Sequence, residues 1–178
     1  MHRATAQSRP AQADDTQAAM PAQGASVREV TMVQSVHFEF LRERRPYLAD
    51  LAAFAERYAE PDPPSALLKL RSFAERVVEA VYDGYQLPQL LDANLNDLLL
   101  QDTFRQIVPV VVQDKLHFLR RKGNRAAHAG DGTTETALTA LSEAFDLARW
   151  LHGFIDGQKV ADLGKFDRRL LQVEPTKG

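Results

Sequence analysis

Four amphipathic segments constrain the fold of this chain more than any other feature of its sequence. In each of them apolar residues recur at intervals of three and four, the spacing that gives a helix one apolar face. The segments begin near residues 47, 63, 103 and 134. Apolar runs joined by hairpin-type turns do not occur. The pattern therefore predicts an all-α fold, an up-and-down four-helix bundle with a short connecting helix at residues 90–100.

Helix-breaking and helix-capping residues mark where these segments start and stop. Pro46 suits the first turn of the first helix, and Asp62 can cap the start of the second. Pro109 falls inside the third segment, at residues 103–121, so the regular part of that helix can begin there. A turn with capping residues at 131–134 precedes the fourth helix. The predicted helix ends are Gly84, Pro88 and Gly157.

The ends of the chain lack the apolar periodicity of its middle. Residues 1–30 are rich in Ala and Gln, which predicts a disordered N-terminal arm. Residues 31–157 are predicted to form the helical bundle. Residues 158–178 are charged and weakly patterned, so we predict a linker or tail there, one that can lead to further domains.

Several classes of function are excluded by what the chain lacks. It has no cysteine, which removes disulfides, thiolate nucleophiles and cysteine-based metal sites. No apolar run approaches the roughly 20 residues that span a bilayer, and no signal-peptide core follows the N-terminus, so we expect a cytoplasmic protein without a membrane partner. Walker loops, nucleophile elbows and metal-binding acidic clusters are also missing, so we expect no cofactor and no metal.

One stretch concentrates the reactive side chains. It runs from Leu116 to His128 and reads LHFLRRKGNRAAH. The net charge of the whole chain is -2, yet between Lys115 and His128 there are five Lys or Arg residues and no acid. Such local positive charge predicts a surface that can hold a phosphate backbone. Its candidate members are Lys115, Arg120, Arg121, Lys122 and Arg125.

The course of the backbone through Gly123 decides which groups meet in this stretch. If the helix continues, the small residues at its apolar stripe let a neighbouring helix approach closely. The extended stripe would be Leu116, Leu119, Gly123, Ala126 and Ala127. At about 100° per residue a polar face would then form opposite the stripe. That face would hold Arg121, Asn124, Arg125 and His128. If Gly123 and Asn124 instead break the helix, since both tolerate the left-handed conformation, two short helices meet at the same patch.

An Arg–Asn–His grouping of this kind can cleave RNA without a metal. The 2′-hydroxyl attacks the adjacent phosphodiester once a base removes its proton, a role that fits His128. Arg121 or Arg120 can stabilise the charge of the transition state, and Asn124 can orient the imidazole or the phosphate. DNA lacks the 2′-hydroxyl. The alternative is purely structural, because basic residues near a helix C-terminus are favourable without any ligand.

These residues also resemble a known family signature. The run Leu116-His117-x-Leu119-Arg120-x-x-Gly123-Asn124-x-Ala126-Ala127-His128 resembles that of a HEPN-like family of unknown function (higher eukaryotes and prokaryotes nucleotide-binding). That family is found at the N-terminus of type I restriction-enzyme R subunits and related helicases. Residues 66–75 are similar to its second-helix pattern, with Arg71 and Glu75 four residues apart. The resemblance covers about residues 36–154.

The resemblance implies a nucleic-acid-interacting accessory module of a restriction or defence protein. Its partners would be nucleic acid (RNA if the module is catalytic) and helicase or nuclease domains or subunits. A second copy of the chain would be a further partner, because HEPN nucleases usually build their site across a homodimer. Six residues separate Arg121 from His128, the upper end of the HEPN ribonuclease spacing, and seven separate Arg120 from it. Arg71, Glu75 and Gly123 would support the site. The alternative for the chain is a catalytically silent dimerisation or docking bundle. The alternative for Arg71 and Glu75 is a surface ion pair.

Overall fold

The computed structural model describes residues 33–172 of the chain, so the predicted N-terminal arm at residues 1–30 lies outside the described residues. Within this range the regular structure is entirely helical. The α-helices are α1 (Pro46–Tyr58), α2 (Pro63–Gly84), α3 (Leu95–Leu99), α4 (Asp102–Ile107), α5 (Val110–Ala129) and α6 (Thr134–Trp150). Short 3-10 turns occupy Glu39–Leu41 and Arg168–Leu171, and a π-helical turn, Leu151–Ile155, follows α6. The predicted all-α fold is confirmed for residues 33–172.

The predicted helix starts are the ones observed for α1, α2 and α6. Pro46 stands in the first turn of α1, where its missing N–H would have no partner in any case. The carboxylate of Asp62 accepts the backbone N–H of Ser65 at 3.2 Å and caps α2. Thr133 caps α6 in the same way through the N–H of Thr136. Local capping chemistry therefore fixes where three of the long helices begin.

The third predicted segment divides at Pro109. Residues 102–107 form the separate helix α4, and Val108 adopts an extended conformation before the proline, as steric contact with a proline ring requires. From Val110, α5 runs without interruption through Gly123 and ends at Gly130, which has a φ of +61°. The alternative in which Gly123 and Asn124 break the helix is wrong.

Helix α2 lies at the centre of the packing and contacts α1, α5 and α6. Its inward face is fully buried and includes Leu70, Phe73 and Val77. Tyr82, near its end, donates a hydrogen bond to the carbonyl oxygen of Leu98 at 2.6 Å and stacks on Phe104, which holds α3 and α4 against α2. Among the described residues, none of the helices combines the length and apolar character needed to cross a bilayer.

A buried carboxylate organises the segment that precedes α1. Glu56 is almost completely buried and accepts the hydroxyl of Ser35 at 2.7 Å and the backbone N–H groups of Val36 and His37 at 2.8 and 2.9 Å. It also lies 3.0 Å from Nδ1 of His37. These contacts satisfy the charge of a group that would otherwise be costly to bury.

The residues after Gly157, predicted as a linker or tail, contact this same region as far as residue 172. The ring of Phe166 lies 4.5 Å from that of His37, and Nε2 of His37 accepts the backbone N–H of Asp167 at 3.1 Å. Just before Gly157, Asp156 accepts two hydrogen bonds from Arg45, of 2.8 and 2.7 Å, which join the start of α1 to the end of the π-helical turn. That the segment leads to further domains stays a prediction.

Candidate functional site

The unbroken course of α5 gathers five polar side chains on one side of the helix. We call this set the α5 polar face. It consists of His117, Arg120, Arg121, Asn124 and His128. Each member is three or four residues from at least one other, while Arg120 and Arg121 are consecutive, so the set forms one band along the helix surface. Arg121 and His128 are exposed, and the other three are half-buried.

The opposite side of α5 is buried against the other helices. It consists of Val112, Leu116, Leu119, Gly123 and Ala126. Ala127, which the sequence predicts on this stripe, is exposed instead.

Gly123 is the point of closest approach between α5 and α2. A Cβ atom added there would overlap the Cβ of Arg71 and lie 3.0 Å from its Cδ. Only a glycine allows the two backbones to come so near. The guanidinium of Arg71 then pairs with Glu75 across 3.3 Å, with both side chains about one-third exposed. The structure thus places the Arg71–Glu75 pair directly beside the middle of α5.

The half-buried Arg120 is the most constrained member of the α5 polar face. Its Nε is buried, and no hydrogen-bond partner for it exists among residues 33–172. Burial and the nearby charge of Arg121 lower the pKa of Arg120 from its usual range. The two guanidinium groups therefore repel each other at a place where no carboxylate of the described residues pairs with either.

Three basic residues from the same stretch are engaged elsewhere. Lys115 pairs with Glu143 and Asp146 of α6 at 2.6 and 3.0 Å. Burial alone would lower the pKa of Lys115, but its bonds to these two carboxylates outweigh burial and raise it. The other two residues are Lys122, whose Nζ lies 5.6 Å from the ring centre of Phe118, and Arg125, which pairs with Asp131. The structure does not bring these three together with Arg120 and Arg121.

Two basic groups that the sequence did not single out for this site are His117, which belongs to the α5 polar face, and Arg105, near the end of α4. Burial, followed by the charges of Arg120 and Arg121, lowers the pKa of His117, and Arg105 contributes in the same direction. The i, i+4 spacing of His117 and Arg121 was visible in the sequence. The approach of Arg105 was not, because it depends on how α4 folds back at Pro109.

A resident metal would need several ligating side chains in one place. Within residues 33–172, no group of three or more His, Asp or Glu side chains is arranged to hold a metal ion.

The sequence places the chain in a known family. It belongs to the family described as a domain of unknown function, DUF4145, whose sequence model matches residues 54–163. This range holds Arg71, Glu75 and the whole of α5. No solved structure matches the chain.

A curated protein with a similar sequence is the type I restriction enzyme EcoKI endonuclease subunit of Escherichia coli (strain K12). The two are 28% identical over 124 residues, which is 70% of this chain and 10% of that protein. The chain thus corresponds to about a tenth of the length of its relative.

Proposed function

We propose that this chain is an accessory module of a restriction- or defence-type protein, and that it contacts nucleic acid through the α5 polar face. The observation that carries the proposal is the pair Arg120 and Arg121, two adjacent guanidinium groups without a carboxylate partner among residues 33–172. The similarity to a type I restriction enzyme subunit supports the context.

Phosphate is the natural partner for such a pair. A guanidinium presents a planar fork of donors that matches two phosphate oxygens and stays charged at every physiological pH. Each phosphate neutralised by the protein also releases condensed counterions, which drives binding and makes it salt-dependent. Asn124 and His128 add further hydrogen-bonding groups along the same side of α5.

The packing of α2 against α1, α5 and α6 supports the finer architectural proposal of a HEPN-like four-helix bundle. On this proposal the protein works in the cytoplasm. It meets helicase or nuclease domains or subunits of a restriction-like system, and pairs with a second copy of itself.

Ribonuclease activity is the sharper version of the proposal, and the continuity of α5 favours it. Because the helix does not break at Gly123, Arg121, Asn124 and His128 share one side over about 10 Å of helix rise. His128 would take the proton of the RNA 2′-hydroxyl. The 2′-oxygen would bond to phosphorus as the bond to the 5′-oxygen breaks, and that oxygen leaves with a proton. The products are a 2′,3′-cyclic phosphate and a 5′-hydroxyl end. Arg121 would stabilise the phosphorane-like charge.

Binding is tested with the purified full chain and fluorescein-labelled single-stranded RNA and DNA, by anisotropy over a series of salt concentrations. We expect Arg121→Gln to weaken binding roughly three- to fivefold and to lower the salt slope by about 0.7, the value for one phosphate contact on a single strand. Arg57→Gln, an exposed arginine on α1, is the matched control. Equal affinities for the two variants would overturn the proposal.

Cleavage is tested separately with end-labelled single-stranded RNA, transfer RNA and matched DNA in EDTA, beside His128→Ala. Cleavage of RNA alone, with cyclic phosphate ends and none in the variant, supports the ribonuclease. Binding without cleavage rejects the ribonuclease and leaves the accessory module. If the protein neither binds nor cleaves, a silent dimerisation or docking bundle takes its place.

A further inference from the structure

A second group of cationic side chains forms where α4 meets α5. We call it the junction cluster. It consists of Arg105 from α4 and His117, Arg120 and Arg121 from α5. Three of these residues, His117, Arg120 and Arg121, also belong to the α5 polar face, so Arg105 is the member that extends this face toward α4.

The junction is held by the side chain of Gln113. Its amide nitrogen donates to the carbonyl oxygens of Val108 and Arg105 at 2.7 and 3.1 Å. These carbonyls lie at the end of α4, where they have no partner inside the helix. The bonds fix the last turn of α4 against the first turns of α5. His117 follows Gln113 by one helical turn, on the same side.

Positive charge is poorly balanced at this junction. Among the charges that act on His117, those of Arg120, Arg121 and Arg105 oppose that of Asp114. The balance of these charges is positive. Because burial and these arginines lower the pKa of His117, its imidazole is neutral near pH 7 and can donate one hydrogen bond.

We propose that the junction cluster is a second phosphate site, which holds the backbone of a nucleic-acid strand whose path continues along α5 to His128. The inference rests on the proposed function, because it extends the same surface. From His117 to His128 the helix rises about 16 Å, and a strand stacked as in duplex DNA advances about 3.4 Å for each phosphate. The two ends of the surface are therefore about five nucleotides apart.

The composition of the cluster favours phosphate over other anions. Its arginines offer several planar forks at different angles, and a neutral imidazole adds a donor without adding to the repulsion. The Nε of Arg120 is buried and has no hydrogen-bond partner among the described residues. A bound anion offsets the repulsion between this guanidinium and the neighbouring positive charges. A strand that runs from the junction to His128 neutralises the positive charge at the junction. The same strand accepts hydrogen bonds from the donors near His128.

The test compares Arg105→Gln with Arg57→Gln in the full chain, with a twelve-nucleotide single-stranded RNA as the probe. Arg105 is exposed and lies outside the core, so the variant is expected to fold, which circular dichroism checks. We expect Arg105→Gln to weaken RNA binding roughly three- to fivefold and to lower the salt slope by about 0.7. Arg57→Gln should leave both unchanged.

Nuclear magnetic resonance of the His117 ring adds an independent readout. RNA is expected to raise the pKa of His117, because a nearby anion stabilises the imidazolium. Inorganic phosphate serves as the second probe. If it raises this pKa while Arg105→Gln leaves RNA affinity unchanged, the cluster binds free phosphate only, and the proposal is overturned.

The outcomes separate this inference from the proposed function. RNA binding that depends on Arg121 but not on Arg105 removes the second site and keeps the proposed function. RNA binding that depends on neither residue removes both.

Discussion

Arg71 and Gly123 lie in direct contact where α2 passes α5, so closely that the glycine has no room for a Cβ atom beside the Cβ of the arginine. This contact joins the two parts of the sequence that carry the family resemblance. It sets the distance between the Arg71–Glu75 pair and the α5 polar face. The glycine is therefore a packing residue of the site rather than the end of a helix.

Gly123→Ala should destabilise the protein. In an open helix the change would stabilise by about 1 kcal/mol through helix propensity, but overpacking at a tight contact costs about 1–3 kcal/mol. We expect a net decrease in the free energy of unfolding, measured by urea denaturation. Arg71→Gly in the same chain should recover part of the loss, whereas Arg71→Ala keeps the overlapping Cβ and should not. A more stable Gly123→Ala protein would contradict the contact.

Much of this fold could be predicted from residues whose effects are local. Pro46 and Asp62 act within one turn of their own helix, so the starts of α1 and α2 follow from the sequence. The division of α4 from α5 at Pro109 was only partly predicted, since the apolar spacing continues across the proline.

The candidate site was harder to predict because it depends on contacts between helices. The spacing of Arg121, Asn124 and His128 was readable as one face. The pairing of Lys115 and Arg125 with acidic residues was not, because those acids come from α6 and from the turn after α5. Neither partner is marked by any pattern near the basic stretch.

Glu56→Gln should loosen the segment before α1. The substitution removes the charge that accepts two backbone N–H groups and the Ser35 hydroxyl, and hydrogen bonds to a charged group contribute about 1.5–3 kcal/mol each. We expect the free energy of unfolding to fall by about 2–3 kcal/mol, and amide exchange at residues 35–37 to accelerate. Glu60→Gln, at an exposed position, is the control and should change neither quantity.

Asp156→Asn should weaken the link between α1 and the π-helical turn after α6. The side chain keeps its shape but loses one of the charges in a pair with two hydrogen bonds to Arg45. Asp156 is mostly buried while Arg45 is about one-quarter exposed, so we expect a loss of about 1–2 kcal/mol on urea denaturation. Asp162→Asn, an exposed change of the same kind, should have no effect. Equal stability of the two variants would show that the pair contributes nothing.

His117 should make the protein less stable in mild acid. Burial and the charges of Arg120, Arg121 and Arg105, opposed by Asp114, lower its pKa in the folded state. The unfolded chain therefore binds the proton first, and stability falls as the pH drops through the ordinary histidine pKa of about 6.5. The fall stops once the pH is below the folded pKa.

The check is the free energy of unfolding at pH values between about 7.5 and 5, for the native chain and for His117→Gln. The native chain should lose more stability over this interval than the variant. Parallel curves would mean that His117 has the same proton affinity in both states.

The central claim is that nucleic acid lies along α5, and amide chemical shifts of the isotope-labelled full chain measure this position directly. On addition of single-stranded RNA, the account predicts the largest shift changes at Arg121, Asn124 and His128, extending to His117. Changes concentrated elsewhere, such as around the exposed Phe154, would contradict this position. So would the absence of changes at RNA concentrations that saturate ordinary binding modules.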